Sequence, residues 1–208
     1  IVKIVQIVKK LNNTELGKGG MNDTYMLIPN DLSITDIFGE LNVSIEFTDK
    51  YTGEKVGIRS TKGREKRIVG LGQYYRNKNL CAGDEIMLEK CSAGVKEDYY
   101  IYAMKHTDNL VVQKSRYGFE ILTPDRLDYF QDEISRAGIH AMIQYVKSEK
   151  KRSDSPEETD YYDLKVNGKS LMDAYRGKEV IEIRVKGNEL MLAGFYGWKK
   201  YVYTTEEN

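Results

Sequence analysis

The chain has 208 residues, with 32 Lys and Arg balanced by 32 Asp and Glu and two-fifths of its residues hydrophobic. That suits a soluble, globular chain with a real core, either one large domain or two small ones. No apolar run approaches the ~18 residues of a membrane-spanning helix, so no membrane partner is expected.

The cysteines, Cys81 and Cys91, are too few for a disulfide framework, and their separation matches no metal spacing. They read as reduced core or strand residues, and a prokaryotic cytoplasm is the default compartment. With only His106 and His140 present, there is little room for imidazole-based metal or nucleophile chemistry. Without an initiator Met, the chain is expected to be part of a longer one.

Residues 1–9 are short, alternating and β-branched, and predict a strand. Lys9 to Tyr25 follows, where Gly17, Gly19 and Gly20 predict a mobile polar loop. Its Asn12, Asn13, Thr14, Lys18, Asn22 and Thr24 are side chains of the kind used on base edges and phosphates. Tyr25 to Ile28 resumes a strand that Pro29 ends. Asp31 to Phe38 predicts a short helix capped by Ser33 and closed by Gly39. Val43–Phe47 and Lys55–Arg59 predict a hairpin.

Charge then concentrates. Between Lys55 and Lys78 there are eight basic residues (Lys55, Arg59, Lys62, Arg64, Lys66, Arg67, Arg76, Lys78) and one acid, Glu65, a local net of +7 in a neutral chain. The functional reading is a nucleic-acid contact loop, with phosphates neutralised and guanine read by forked guanidinium groups. The bland alternative is a solvated hairpin. Ile68 to Gly72 predicts a short apolar element, Asn77 to Asp84 a turn, and residues 84–90 and 98–104 alternating strands. Many short strands at close spacing indicate a β-barrel or barrel-like sheet.

Three separated motifs carry a resemblance over residues 3–106: Lys10 to Pro29, Lys62-Gly-Arg-Glu-Lys-Arg-Ile-Val-Gly-Leu-Gly72, and Leu80-Cys-Ala-Gly-Asp-Glu-Ile-Met-Leu88. Together they resemble the plant B-three-like DNA-recognition pseudobarrel of restriction endonucleases, as in the amino-terminal effector domain of EcoRII and the carboxy-terminal domain of BfiI. The resemblance implies a mainly β fold, a seven-stranded-type pseudobarrel with short helices, that grips the major groove between two arms. The first arm would be Lys10 to Tyr25, including Asp23. The second would be Arg59 to Arg67, with Gln73 and Arg76 nearby. Arg64, Glu65, Lys66 and Arg67, with Asn12, Asn13 and Asn22 opposite, would read base edges, Glu65 by accepting from a cytosine amino group. Glu65 could equally sit in a salt bridge to Lys66 or Arg64. Lys10, Lys18, Arg59, Lys62 and Arg76 would hold phosphates.

The second half, residues 107–208, reads as an α+β extension. Val111 to Phe119 predicts a strand, Pro124 to Val146 a helix with a break at Gly138, and residues 147–160, which lack any apolar residue, a mobile charged loop. Four further strands, over 161–166, 180–185, 190–195 and 198–203, are joined partly by turns at Asn167-Gly168 and Gly187-Asn188.

A metal-dependent nuclease needs clustered acids and a lysine. Asp125 with Asp163 and Lys165, or Glu182 with Lys186, are the candidates, and neither forms a convincing pattern. The phospholipase-like His-x-Lys signature is absent after both histidines. The expectation is therefore a non-catalytic, sequence-specific double-stranded DNA-binding domain, the target-recognition domain of a type II restriction endonuclease. It would recognise DNA without a cofactor and could dock on a nuclease domain or second subunit. A complete small nuclease, with a divalent ion such as Mg, is one alternative. A non-DNA protein-interaction module is the other.

Overall fold

The computed structural model describes residues 1–40, 42–195 and 197–206. The chain is mainly β, with few short helices and curled sheets. It divides into two compact units, residues 1–105 with 196–208, and residues 106–195.

The first unit is an eight-stranded sheet. In chain order its strands are β1 (Val2–Lys10), β2 (Met26–Ile28), β3 (Ser44–Asp49), β4 (Lys55–Lys62), β5 (Lys66–Val69), β6 (Glu85–Ala93) and β7 (Lys96–Met104), with β15 (Trp198–Thr205) contributed by the end of the chain. The spatial order is β15-β1-β6-β7-β3-β4-β5-β2. All neighbours are antiparallel except β3 and β7, where Thr48 faces Tyr100 and Asp49 faces Ile101. Seven strands thus come from the first half, as the sequence suggests. The eighth is a difference: residues 198–205, expected in the carboxy-terminal extension, pair with β1. Strand pairing is non-local, and nothing in the composition of β15 names its partner.

Alternation accounts for the core. Along β1, Val5 and Ile7 point inward with Lys9, and along β4, Val56, Ile58 and Ser60 are buried while Lys55, Gly57 and Arg59 face out. Val5, Ile7, Val56 and Ile58 pack with Phe38, Phe47, Ile68, Tyr74, Leu88 and Ile101 into one cluster. Fully burying each large apolar side chain contributes about 1.5–3 kcal/mol. Helix α1 (Thr35–Phe38) closes at Gly39, which takes φ +63. Ser33 is not its cap: the capping position falls to Ile34, with no side-chain hydrogen bond, and the Ser33 hydroxyl lies 3.1 Å from that of Thr35. A second helix, α2 (Gly72–Asn77), follows β5. It is too short to leave a periodic signature. Cys81 and Cys91 are free and half-buried.

The second unit holds β8 (Leu110–Lys114), β9 (Phe119–Ile121), helix α3 (Leu127–Arg136), β10 (Ala141–Glu149), β11 (Thr159–Val166), β12 (Lys169–Ser170), β13 (Val180–Lys186) and β14 (Glu189–Gly194). Its sheet runs β10-β11-β9-β8-β13-β14, with β12 beside β11. Three sequence expectations are corrected. Residues 111–119 are not one strand: β8 and β9 form a hairpin, with Lys114 opposite Phe119. The helix expected to Val146 ends at Arg136, because Gly138 turns the chain at φ +67 and residues 141–149 then pair along β11. The apolar residues 139, 142, 143 and 146 have helical spacing, but pairing with β11 overrides it: Ile139, Ala141 and Ile143 pack against the core while Met142 and Val146 are exposed. The polar stretch 147–160 is partly strand at both ends, and Lys151 bonds Glu120 at 2.7 Å. Asn167 and Gly168, both at positive φ, make the expected tight turn. No helix among the described residues is long and apolar enough to cross a membrane.

Candidate nucleic-acid interface

The two arms meet because β2 pairs with β5, setting Leu27 against Arg67 and Met26 against Ile68. Strand β5 in turn pairs with β4, so that Arg59 faces Val69, Thr61 faces Arg67 and Lys62 faces Lys66. Directly opposed residues share a face. Arg59, Thr61, Arg67, Val69 and Leu27 therefore lie on the outer face, and Lys62 and Lys66 on the other. The expected basic loop is shorter than predicted: the strands run to Lys62 and resume at Lys66, leaving Gly63, Arg64 and Glu65 as an exposed tip.

Beside this hairpin the first arm is built on a buried ion pair. Lys9 Nζ donates to both carboxylate oxygens of Glu15, at 3.0 and 3.1 Å. Glu15 also accepts from the backbone N–H of Asn12 at 3.1 Å and of Leu27 at 2.7 Å. Asn12 Oδ1 reciprocates by accepting from the Glu15 N–H at 2.8 Å, the mutual arrangement of a capping box. One carboxylate thus ties β1, the first turn of the arm and β2 together. At Gly17, φ is +73 and an added Cβ would lie 2.9 Å from the Asn22 carbonyl oxygen, so the chain can fold back there only with glycine.

Between the arms lies an open cleft lined by Asn22, Asp23, Thr24 and Tyr25 from one side and Arg67 and Val69 from the other. The Arg67 guanidinium sits 3.9 Å from the centre of the Tyr25 ring, and its Nε donates to Glu65 Oε2 at 3.2 Å. Burial raises the Tyr25 phenol above its ordinary pKa, against the pull of the Arg67 cation. Helix α2 braces this wall. Tyr75 Oη donates to the Tyr25 carbonyl at 3.0 Å, and a Cβ at Gly72 would come within 2.6 Å of Thr24 Oγ1.

Tyr74, on the same helix, donates to Asp49 Oδ2 at 2.6 Å, and Lys78 Nζ lies 3.3 Å from that oxygen. Burial alone would raise the Asp49 carboxyl. Hydrogen bonds from Tyr74, from the backbone N–H groups of Thr52 and Tyr51, and from Lys78 outweigh it and hold the acid well below the usual range. Burial and the same carboxylate push the Tyr74 phenol far upward.

The expected site residues therefore separate. Asn22, Asp23, Thr24 and Arg67 line the cleft; Arg59 is exposed on the Arg67 face of the hairpin, Arg64 and Glu65 at its tip, and Lys62 on the opposite face. Lys66 is half-buried at the base of the tip. Thr14 is exposed, but Gly19 packs against it. Lys10 ends β1, with its backbone N–H on the Gly197 carbonyl. Asn12 serves the capping box, Asn13 Oδ1 is buried without a hydrogen-bond partner among the described residues, and Lys18 Nζ donates to the Leu80 carbonyl at 3.0 Å. Arg76 donates to Gln73, which donates to Asn77, which reaches Glu54. Glu65 does form a salt bridge, to Arg67 rather than to Lys66 or Arg64.

Sequence reasoning passed over Tyr25 as a site residue, and over Lys9 and Glu15. The last two left a signal, since strand alternation puts Lys9 on the same side as Val5 and Ile7, and Asn12-x-x-Glu15 has capping-box spacing. In the second unit, Asp163 accepts from Ser170 Oγ at 2.7 Å. Among the described residues, no three His, Cys, Asp or Glu side chains gather as a cation site.

No family model matches the chain, and no curated protein matches it. Among solved structures, a hypothetical protein of Arabidopsis thaliana is similar with a TM-score of 0.34 and 17% identity, over 50% of this chain and 92% of that one.

Proposed function

We propose that this chain binds double-stranded DNA at a short specific sequence, through two arms in the major groove, as the target-recognition domain of a type II restriction endonuclease. The observation that carries the binding reading is the cleft between Asn22–Tyr25 and Arg67, bordered by the exposed cations of the β4–β5 hairpin. The restriction-endonuclease assignment rests on the sequence resemblance of the three motifs.

Arg67 is the side chain best prepared for base reading. Its flat face is stacked on Tyr25 and its Nε is engaged by Glu65, which leaves the two terminal nitrogens as the fork that guanine O6 and N7 require. Glu65 holds that fork and keeps a second oxygen able to accept from a cytosine amino group. Asn22 and Thr24 face it from the first arm. Arg59, Lys62 and Lys66 are suited to phosphates. Asn12 leaves the base-reading set and Lys18 the phosphate-holding set, because their polar atoms bond within the fold.

Binding of a mixed-sequence duplex, followed by fluorescence anisotropy at several salt concentrations with EDTA present, tests the reading. Affinity should fall with salt by a slope of about −0.9 per phosphate contacted. Lack of binding at low salt, with retention of a protein partner that survives nuclease treatment, would sink it.

A further inference from the structure

Strand β15 is the outermost strand of the first sheet. It pairs with β1 over eight consecutive residues without a bulge, and among the described residues no strand lies on its other side. Tyr201, Val202 and Tyr203 are 40%, 53% and 48% exposed, and residues 201–205 carry no charge. Such an edge presents a row of unpaired backbone N–H and C=O groups, a template for another strand.

Folded proteins usually blunt these edges. Among the other sheet ends, β2 has only three residues, and β10 is broken by a register shift between Tyr145 and Lys147. On β15, Lys200 could have served, but its Nζ is held by Asp36 Oδ2 and the Ser33 carbonyl, both at 2.8 Å. That leaves Tyr201 to Thr205 unguarded.

We propose that β15 pairs antiparallel with β15 of a second copy of this chain, about a two-fold axis through Val202. A two-fold axis perpendicular to the joined sheet keeps each side chain on its own face, so it must pass through a residue. Centred on Val202, the register sets Tyr201 against Tyr203 of the other copy, twice. The two tyrosines already stack within one strand, with ring centroids 6.2 Å apart and planes inclined by 14°. Four rings then cluster on the outer face, and cross-strand aromatic pairs favour pairing.

The charges agree with the same register. Lys199 and Lys200 face Thr205 and Thr204 of the other copy, and Glu206 falls diagonally beside Lys200. The adjacent registers, centred on Tyr201 or Tyr203, would keep a single tyrosine pair and set the other tyrosine against Lys199 or Thr205, and one centred on Lys200 would oppose two lysines. This inference does not depend on DNA binding.

Light scattering of the full chain across a wide concentration range tests it. The wild-type mass should rise from 24.0 kDa toward twice that value. Val202→Lys and Val202→Glu each place like charges on the axis and should remain monomeric, while their equimolar mixture should recover the dimer mass. The outer face supplies a second arm: Tyr201→Lys with Tyr203→Glu sets opposite charges against each other and should dimerise, whereas Tyr201→Lys with Tyr203→Lys should not. A wild-type chain that stays at 24.0 kDa throughout, single Val202 variants that still dimerise, or a mixture that stays monomeric would overturn the proposal.

Discussion

Replacing Glu15 by Gln should cost this protein more stability than its size suggests. The carboxylate is fully buried and accepts from Lys9 Nζ twice and from the N–H groups of Asn12 and Leu27. Glutamine keeps the shape and one acceptor oxygen, but it turns an amide donor toward those donors and strips the buried ammonium of its counter-charge. Breaking a buried pair by removing one partner costs about 3–5 kcal/mol. The sole tryptophan, Trp198, packs against the first core, so its fluorescence in urea reports on that unit. With an m-value of about 2 kcal/mol/M, the midpoint should fall by about 2 M. Adding Lys9→Met removes the stranded charge and should recover part of the loss. A midpoint shift below about 0.5 M, or a double variant no better than the sum of the singles, would refute the reasoning.

Other perturbations follow from the same geometry. The Asp49 carboxyl is held below its ordinary 3.8 in the folded chain, so its stabilisation is complete above that value and is lost as pH falls from there toward the folded pKa. Urea midpoints measured through the acid range should therefore fall steeply for wild type and less steeply for Asp49→Asn. At Gly70, φ is +100 and an added Cβ would lie 2.5 Å from the Gly57 carbonyl oxygen. Gly70→Ala should lower stability by more than about 1 kcal/mol; a neutral outcome in the same urea assay would contradict the β4–β5 packing. Arg67→Ala should cost about 1–3 kcal/mol on the preferred duplex and relax the preference at one base pair. Arg59→Ala should instead weaken all duplexes alike and reduce the salt slope by about one, as anisotropy titrations would show.

Much of the first unit was legible in the sequence because its strands alternate and its breaks fall at Gly and Pro. Val5, Ile7, Val56 and Ile58 announce their inward faces, and Pro29 and Gly39 end their elements. The basic hairpin was legible as charge but not as geometry. Only the register shows that Lys62 and Lys66 leave the face shared by Arg59 and Arg67.

The remainder depended on contacts between distant residues. The stack of Arg67 on Tyr25 spans two strands joined by a long excursion, and β15 finds β1 across almost the whole chain. Helix α2 was hidden by its length, and the segment after Gly138 by a helical apolar spacing that pairing with β11 overrides. Asn12 and Lys18 illustrate a different loss: their chemistry suits DNA, but the fold spends it on its own backbone.

Selection of a randomised duplex pool with this chain at moderate salt, with EDTA present, tests specific recognition most directly. Sequencing of the retained fraction should show enrichment of one short motif, and Arg67→Ala should degrade that motif at one position. Retention without enrichment would reduce the hairpin to a phosphate clamp and contradict sequence-specific recognition, and no retention at all would contradict DNA binding itself.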